Sequence, residues 1–223
     1  MEKAIVLVSG GMDSLVCAAE ALGQQHEVYF LHMNYGQKTS SRERKSFNDI
    51  ADFYQVPDTR RKIIDMAFLK QIGGSSLTDE TIDVKIYSGD SNSIPDSYVP
   101  FRNSIILSLA VSWAEVVGAT RLFIGANVED SPGYPDCRPA YYQAFNQLIH
   151  EGTKAGDIKI LTPVINLKKR DIVKRGNQLG VPFNLSWSCY KSPDLACGKC
   201  DSCAVRLRGF KEAGIPDPID YQL

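Results

Sequence analysis

The chain has 223 residues, 43% of them hydrophobic and 23% charged, with a formal net charge of −1. That composition excludes a disordered, collagenous or fibrous chain and is ample for one substantial core. No apolar run reaches the ~18–20 residues of a membrane span, and a near-neutral charge gives no polycation to hold nucleic acid.

The charge is unevenly spread. Residues 1–150 carry 13 Lys/Arg against 18 Asp/Glu, a net −5, and residues 151–223 carry 12 against 8, a net +4. The N-terminal apolar run, Ala4 to Val8, is too short for the core of a signal peptide, so the protein is expected in the cytoplasm.

Short β-branched runs alternate with helix-like segments. Strands are expected at 4–8, 28–33, 61–64, 121–125 and 159–162. Helices are expected at 13–22, 40–54, 103–117, 139–151 and 168–179, the last ended by Gly180 and Pro182. This alternation predicts an α/β fold, a doubly wound, mainly parallel five-stranded sheet. Ligands of such sheets bind beyond the carboxyl ends of the strands, so the loops after the first, second and fourth strands should converge. Residues 1–182 form the expected main domain, and 183–223 a cysteine-bearing helical segment packed on it as one compact unit. Residues 65–100 form a long connection, expected to be either a functional lid or a role-free insert.

Ser9-Gly-Gly-Met-Asp-Ser14 follows the first strand. Gly10 and Gly11 let backbone N–H groups approach a phosphate, Ser9 and Ser14 add hydroxyls, and the following helix adds its positive end. The loop has neither the Lys–Ser/Thr pair of a Walker A motif nor the G-x-G-x-x-G dinucleotide fingerprint. Without a ligand, the same residues would make a tight turn with Asp13 as a simple helix cap. SGGxDS after a buried strand resembles the pyrophosphatase loop of the adenylating N-type ATP pyrophosphatases. The resemblance implies an adenine nucleotide alpha-hydrolase-like fold and cleavage of ATP between its α and β phosphates.

Four of the six cysteines, Cys189, Cys197, Cys200 and Cys203, are spaced C-x7-C-x2-C-x2-C. Four thiolates complete a tetrahedral shell, so one structural zinc ion per chain is expected, with a [4Fe–4S] cluster as the alternative. A closed shell leaves no position for catalysis. Cys17 reads as core, and Cys137 as a structural thiol beside functional neighbours. His26, His32 and His150 match no ligand spacing.

Residues 125–138 follow the fourth strand and are rich in Gly, Pro and polar side chains. Glu129, Asp130 and Asp136 are candidates for magnesium or a base edge, and Arg138 for a carboxylate or phosphate. Arg102 opens the long apolar helix and is a further candidate. A narrower resemblance rests on motifs in order: Ser9 to Ser14, Tyr35-Gly-Gln37, Val99 to Asn103, Ser131 to Arg138 and Trp187 to Cys203. This set resembles the 7-cyano-7-deazaguanine synthase family of queuosine precursor synthesis. The chain departs from that family at Phe101, where a glycine is common, at Pro132, which replaces a serine, and at Lys38-Thr39, where Arg-His is common.

The resemblance implies conversion of 7-carboxy-7-deazaguanine and ammonia to the 7-cyano compound. ATP would be a substrate with Mg²⁺, and the intermediates would be an adenylated acid and an amide. It assigns nucleotide contacts to Ser9, Gly10, Gly11, Asp13 and Ser14. Catalytic roles fall to Asp13, Ser14, Lys169 and Arg102, and substrate contacts to Arg102, Glu129, Asp130, Tyr134, Asp136 and Arg138. It also implies a homodimer without stable nucleic-acid binding. Three alternatives remain open: a related enzyme acting on tRNA, one joining the deazaguanine to another amine, and a non-catalytic zinc-stabilised nucleotide-binding module.

Overall fold

The computed structural model describes residues 1–87, 94–129 and 134–222. Its centre is a sheet of β1 (Lys3–Leu7), β2 (Glu27–Asn34), β3 (Arg61–Asp65), β4 (Arg121–Ile124) and β5 (Lys159–Leu161). The strands lie in the order β3-β2-β1-β4-β5, and every pairing is parallel. Val6 at the centre stands opposite Phe30 on one side and Phe123 on the other.

Helices cover both faces, which is why the strands read as continuous apolar runs. Successive residues point to opposite faces. Ile5, Leu7, Leu31, Leu122 and Ile124 therefore join one core, with α4 (Arg102–Val117) and α5 (Pro139–Gly152). Ala4, Val6, Phe30 and Phe123 join the other, with α1 (Met12–Gly23), α2 (Ser40–Phe53) and α6 (Lys169–Gln178). The five expected strands and the doubly wound arrangement are all present. Among the described residues no helix is long and apolar enough to cross a membrane.

A short helix, α3 (Leu69–Ile72), interrupts the long connection. The described parts of that connection are anchored: Met66, Leu69, Leu77, Val84 and Val99 are all buried in the first core. The C-terminal segment carries α7 (Asp201–Ala213) and packs on both cores. Phe183 and Phe210 enter one, while Cys189, Ala196, Cys200 and Cys203 enter the other. Arg206 of α7, 1% exposed, pins the chain end with bonds of 2.8 and 2.9 Å to the Asp217 carboxylate. It also donates to Ser186 Oγ at 2.7 Å.

Candidate functional site

The strand order reverses between β1 and β4, and a cavity of about 250 Å³ opens beyond their carboxyl ends. The segments after β1, β2 and β4 all line it, as the topology requires: Ser9 and Gly11 to Ser14 from the first, Tyr35 from the second, Gly125 to Asn127 from the third.

The first wall is the glycine loop. Ser14 Oγ accepts from Ser9 N at 3.2 Å and donates to Gly11 O at 2.9 Å, and Ser9 Oγ accepts from Gly11 N at 3.2 Å. Gly10 holds a left-handed φ of 92°, and a Cβ there would lie 2.9 Å from Glu43 O. A Cβ on Gly125 would lie 2.6 Å from Ser14 N, so this position admits α1 against β4 only as glycine. Helix α1 starts at Met12 with Gly11 as its cap and no side-chain capping bond. Asp13 is thus a first-turn residue rather than the cap, and the start of the helix, with its unpaired N–H groups and positive end, faces the loop.

Asp13 pairs with Lys169 of α6, another residue lining the cavity. Its Oδ2 lies 2.8 Å from Lys169 Nζ, with side chains only 15% and 3% exposed. The backbone N–H of Lys169 donates to Glu129 Oε2. Glu129 Oε1 accepts from Arg208 Nη2 at 3.2 Å. Glu129 thus fixes the start of α6 and does not line the cavity.

The opposite wall is aromatic and cationic. The Arg102 guanidinium lies 4.8 Å from the Tyr35 ring centre, and its buried Nε has no hydrogen-bond partner among the described residues. Tyr134 and Tyr190 line the same wall, Tyr134 with its hydroxyl 2.6 Å from Ser97 Oγ. Asp136 is 4% exposed and lies outside the lining. Its carboxylate accepts from Asn103 N at 3.3 Å, so it serves the start of α4. Burial pushes its carboxyl up from the ordinary range, an effect opposed by Arg102. Arg138 is exposed as the residue preceding α5 and does not line the cavity. Asp130 and Pro132 lie outside the described residues.

The sequence reading assigned no role to Tyr35, Glu43 or Tyr190. Tyr35 was visible only as part of a motif at a strand's carboxyl end, the position where ligands gather. Glu43 sits in the first turn of a polar helix and looks like a solvated acid, yet it lines the cavity. Burial raises its pKa, an effect opposed by hydrogen bonds from Gln37 and Thr39 and by Arg102.

A second centre lies in the C-terminal segment. One sulfur each from Cys189, Cys197, Cys200 and Cys203 lies within 4.8 Å of all the others, and Cys197 and Cys203 are 3.9 Å apart. Zn–S bonds of about 2.3 Å in a tetrahedron give S···S edges of about 3.8 Å, so the set fits a single ion. Cys189 Sγ accepts from the backbone N–H groups of Lys191, Ser192 and Cys197 at 3.4, 3.3 and 3.3 Å. Such donors favour thiolate over thiol. The two centres are linked: Trp187 N donates to Gly10 O at 2.8 Å, and Arg42 stacks 4.4 Å from the Trp187 ring centre.

A glycine loop between β1 and α1, at the reversal point of a parallel sheet with helices on both faces, defines a doubly wound α/β protein with a PP-loop-type fold. A solved 4-thiouridine synthetase–RNA complex with bound ATP shares the fold, with a TM-score of 0.51 and 18% identity over 99% of this chain and 47% of that one. More narrowly, the chain belongs to the QueC family: the model for "Queuosine biosynthesis protein QueC" matches residues 3–214. The 7-cyano-7-deazaguanine synthase of Chloroherpeton thalassium is 56% identical, covering 99% of this chain and 97% of the relative. That of Chlorobium chlorochromatii is 55% identical, covering 99% and 96%.

Proposed function

We propose that this chain is an ATP-dependent enzyme that converts 7-carboxy-7-deazaguanine and ammonia to 7-cyano-7-deazaguanine. The observation that carries the proposal is one cavity shared by a phosphate-type loop and an arginine–tyrosine wall, in a chain with near-full-length synthase relatives. The loop suits the polyphosphate of ATP and the wall suits a planar heterocycle bearing a carboxylate.

In this reading the substrate carboxylate attacks the α-phosphorus of ATP and pyrophosphate leaves. Ammonia then adds to the acyl carbon and AMP departs, leaving the amide. The amide oxygen attacks the α-phosphorus of a second ATP, pyrophosphate leaves and the nitrogen gives up one proton; loss of AMP with the second nitrogen-bound proton then gives the nitrile. The substrate is its own nucleophile, so the protein's work is alignment and charge stabilisation.

Ser9, Gly10, Gly11 and Ser14 hold the departing pyrophosphate. Lys169 neutralises its growing charge, held in place by Asp13 and by the bond from its backbone to Glu129. Arg102 receives the substrate carboxylate, its buried Nε supplying a donor that has no acceptor among the described residues. Tyr134 packs the ring. Asp13, the carboxylate within the glycine loop, would hold Mg²⁺, which would supply charge neutralisation on the phosphates. Glu129 and Asp136 act one step back, by fixing α6 and α4. The four cysteines would hold one structural zinc ion, closing the segment that carries Trp187 over the loop.

The test is incubation of purified, metal-analysed protein with 7-carboxy-7-deazaguanine, Mg·ATP and ammonium, with products followed by mass spectrometry. Two AMP and two pyrophosphate per nitrile are expected. AMP without nitrile would move the acceptor to another amine, and no AMP from folded, metal-loaded protein would leave a nucleotide-binding module.

A further inference from the structure

The reaction needs a nitrogen nucleophile at a point where the cavity offers a base. Ammonium is the dominant form near neutral pH, and it has no lone pair until it loses a proton. Glu43 is the residue placed for this. Its main-chain carbonyl abuts Gly10 of the phosphate loop, so the start of α2 touches that wall. Its side chain lines the cavity, and the charged and titratable groups facing it there are Arg102 of α4 and Tyr35 beyond β2. It therefore stands near the boundary between the loop and the aromatic wall. An acyl adenylate, with its phosphate toward one and its ring toward the other, would bring its acyl carbon to that boundary.

The carboxylate is also oriented. Oε2 accepts from Gln37 Nε2 at 2.8 Å and Oε1 from Thr39 Oγ1 at 2.8 Å. Gln37 is fixed in turn by accepting from Tyr35 N at 2.9 Å, and Gln37 and Thr39 are 3% and 2% exposed. A carboxylate has about four acceptor positions, and these bonds use two. Two acceptor positions remain for a further donor.

Resting on the function proposed above, we propose that Glu43 is the general base that binds ammonium and deprotonates it for attack on the acyl adenylate. Glu43 takes one proton from ammonium. The freed lone pair forms the C–N bond, the bond from the acyl carbon to the AMP phosphate oxygen breaks, and AMP leaves with that electron pair. The second nitrogen proton goes to solvent as the tetrahedral adduct collapses to the amide. A base whose pKa is raised by burial is better matched to this transfer than a solvated glutamate.

The test compares ammonium with hydroxylamine, which is largely neutral near pH 7 and needs no base before attack. In the full-length, metal-loaded protein, Glu43→Gln should release pyrophosphate from acid and ATP within a few-fold of the parent rate. It should form amide from ammonium about 100-fold more slowly, the usual scale of a lost general base. Hydroxamate formation should stay within a few-fold, and the ammonium rate should climb with pH as free ammonia accumulates. Glu43→Asp keeps a carboxylate, so its ratio of ammonium to hydroxylamine rates should stay near that of the parent. Equal losses with both nucleophiles, an unchanged ammonium rate in Glu43→Gln, or a ratio in Glu43→Asp that collapses as for Gln would each overturn the assignment. If the parent protein itself releases no AMP from the acid, it is the proposed function that fails.

Discussion

The glycine loop and the four-cysteine segment are both short, irregular and dense in side-chain-to-backbone bonds, yet they are held by different means. The loop sits between a central strand and a helix that the rest of the sheet already fixes, and close neighbours such as Glu43 and Gly125 leave it little room to move. The cysteine segment has no strand or long helix of its own before α7, and its four sulfurs lie within 4.8 Å of one another, close enough to share one ion. One site is therefore preorganised by the fold, and the other would take its order from the ion proposed for it. Their meeting point, Trp187 on Gly10, means that failure of the second should reach the first.

Removing the metal should give the largest effect. Structural zinc sites contribute on the order of 10 kcal/mol to the folding of the segments they hold. A strong chelator, or Cys200→Ser, should lower the thermal midpoint by at least 10 °C, a fall of a few kcal/mol for a chain this long, and abolish AMP formation. Metal analysis and calorimetry on the same sample check this. Full activity in metal-free protein would show that the segment does not depend on the ion.

The loop side is tested by Lys169→Met, which removes the ammonium beside Asp13. Breaking a buried pair in this way costs about 3 kcal/mol, and pyrophosphate release should fall at least 100-fold with metal content unchanged. The double variant with Asp13→Asn should recover part of the stability and none of the rate. Recovery of both would make the pair a structural device alone. Gly125→Ala comes next. Its Cβ would press on Ser14 N at 2.6 Å, and overpacking of this kind costs about 2 kcal/mol. Denaturant unfolding should report that loss, and ATP affinity should fall while the bound metal stays stoichiometric.

The comparison also explains what could be read from the sequence. The loop and the cysteine set are contiguous motifs whose chemistry lies in their own spacing. The strands were legible because burial on both faces leaves an unbroken apolar run. The rest of the cavity was only partly legible: the resemblance pointed to Arg102 and Lys169, but Tyr35 and Glu43, from the loop after β2 and from α2, carried no signal of their own. Charge alone also left the protein partners of two acids unread. Asp136 and Glu129 looked available to a ligand, whereas backbone N–H groups at the starts of α4 and α6 take them up. A carboxylate before or near a helix start is a natural partner for that helix's unpaired N–H groups, and only the three-dimensional structure decides between helix and ligand.

The smallest predicted effect concerns Phe101, where the chain departs from the glycine common in the family it resembles. Its φ of 56° and ψ of 19° are left-handed, directly before α4 and next to Arg102. The ring is 63% exposed, so little packing offsets the strain. A left-handed conformation costs a residue with a Cβ about 1–2 kcal/mol, while glycine loses somewhat more backbone entropy on folding. Phe101→Gly should therefore stabilise the protein by up to about 1 kcal/mol, a rise of roughly 2–4 °C in the thermal midpoint. Phe101→Ala removes the ring and keeps the strain, so it should give no such gain. Equal gains in both variants would place the cost in the exposed ring rather than in the backbone, and the glycine of the family would need another explanation.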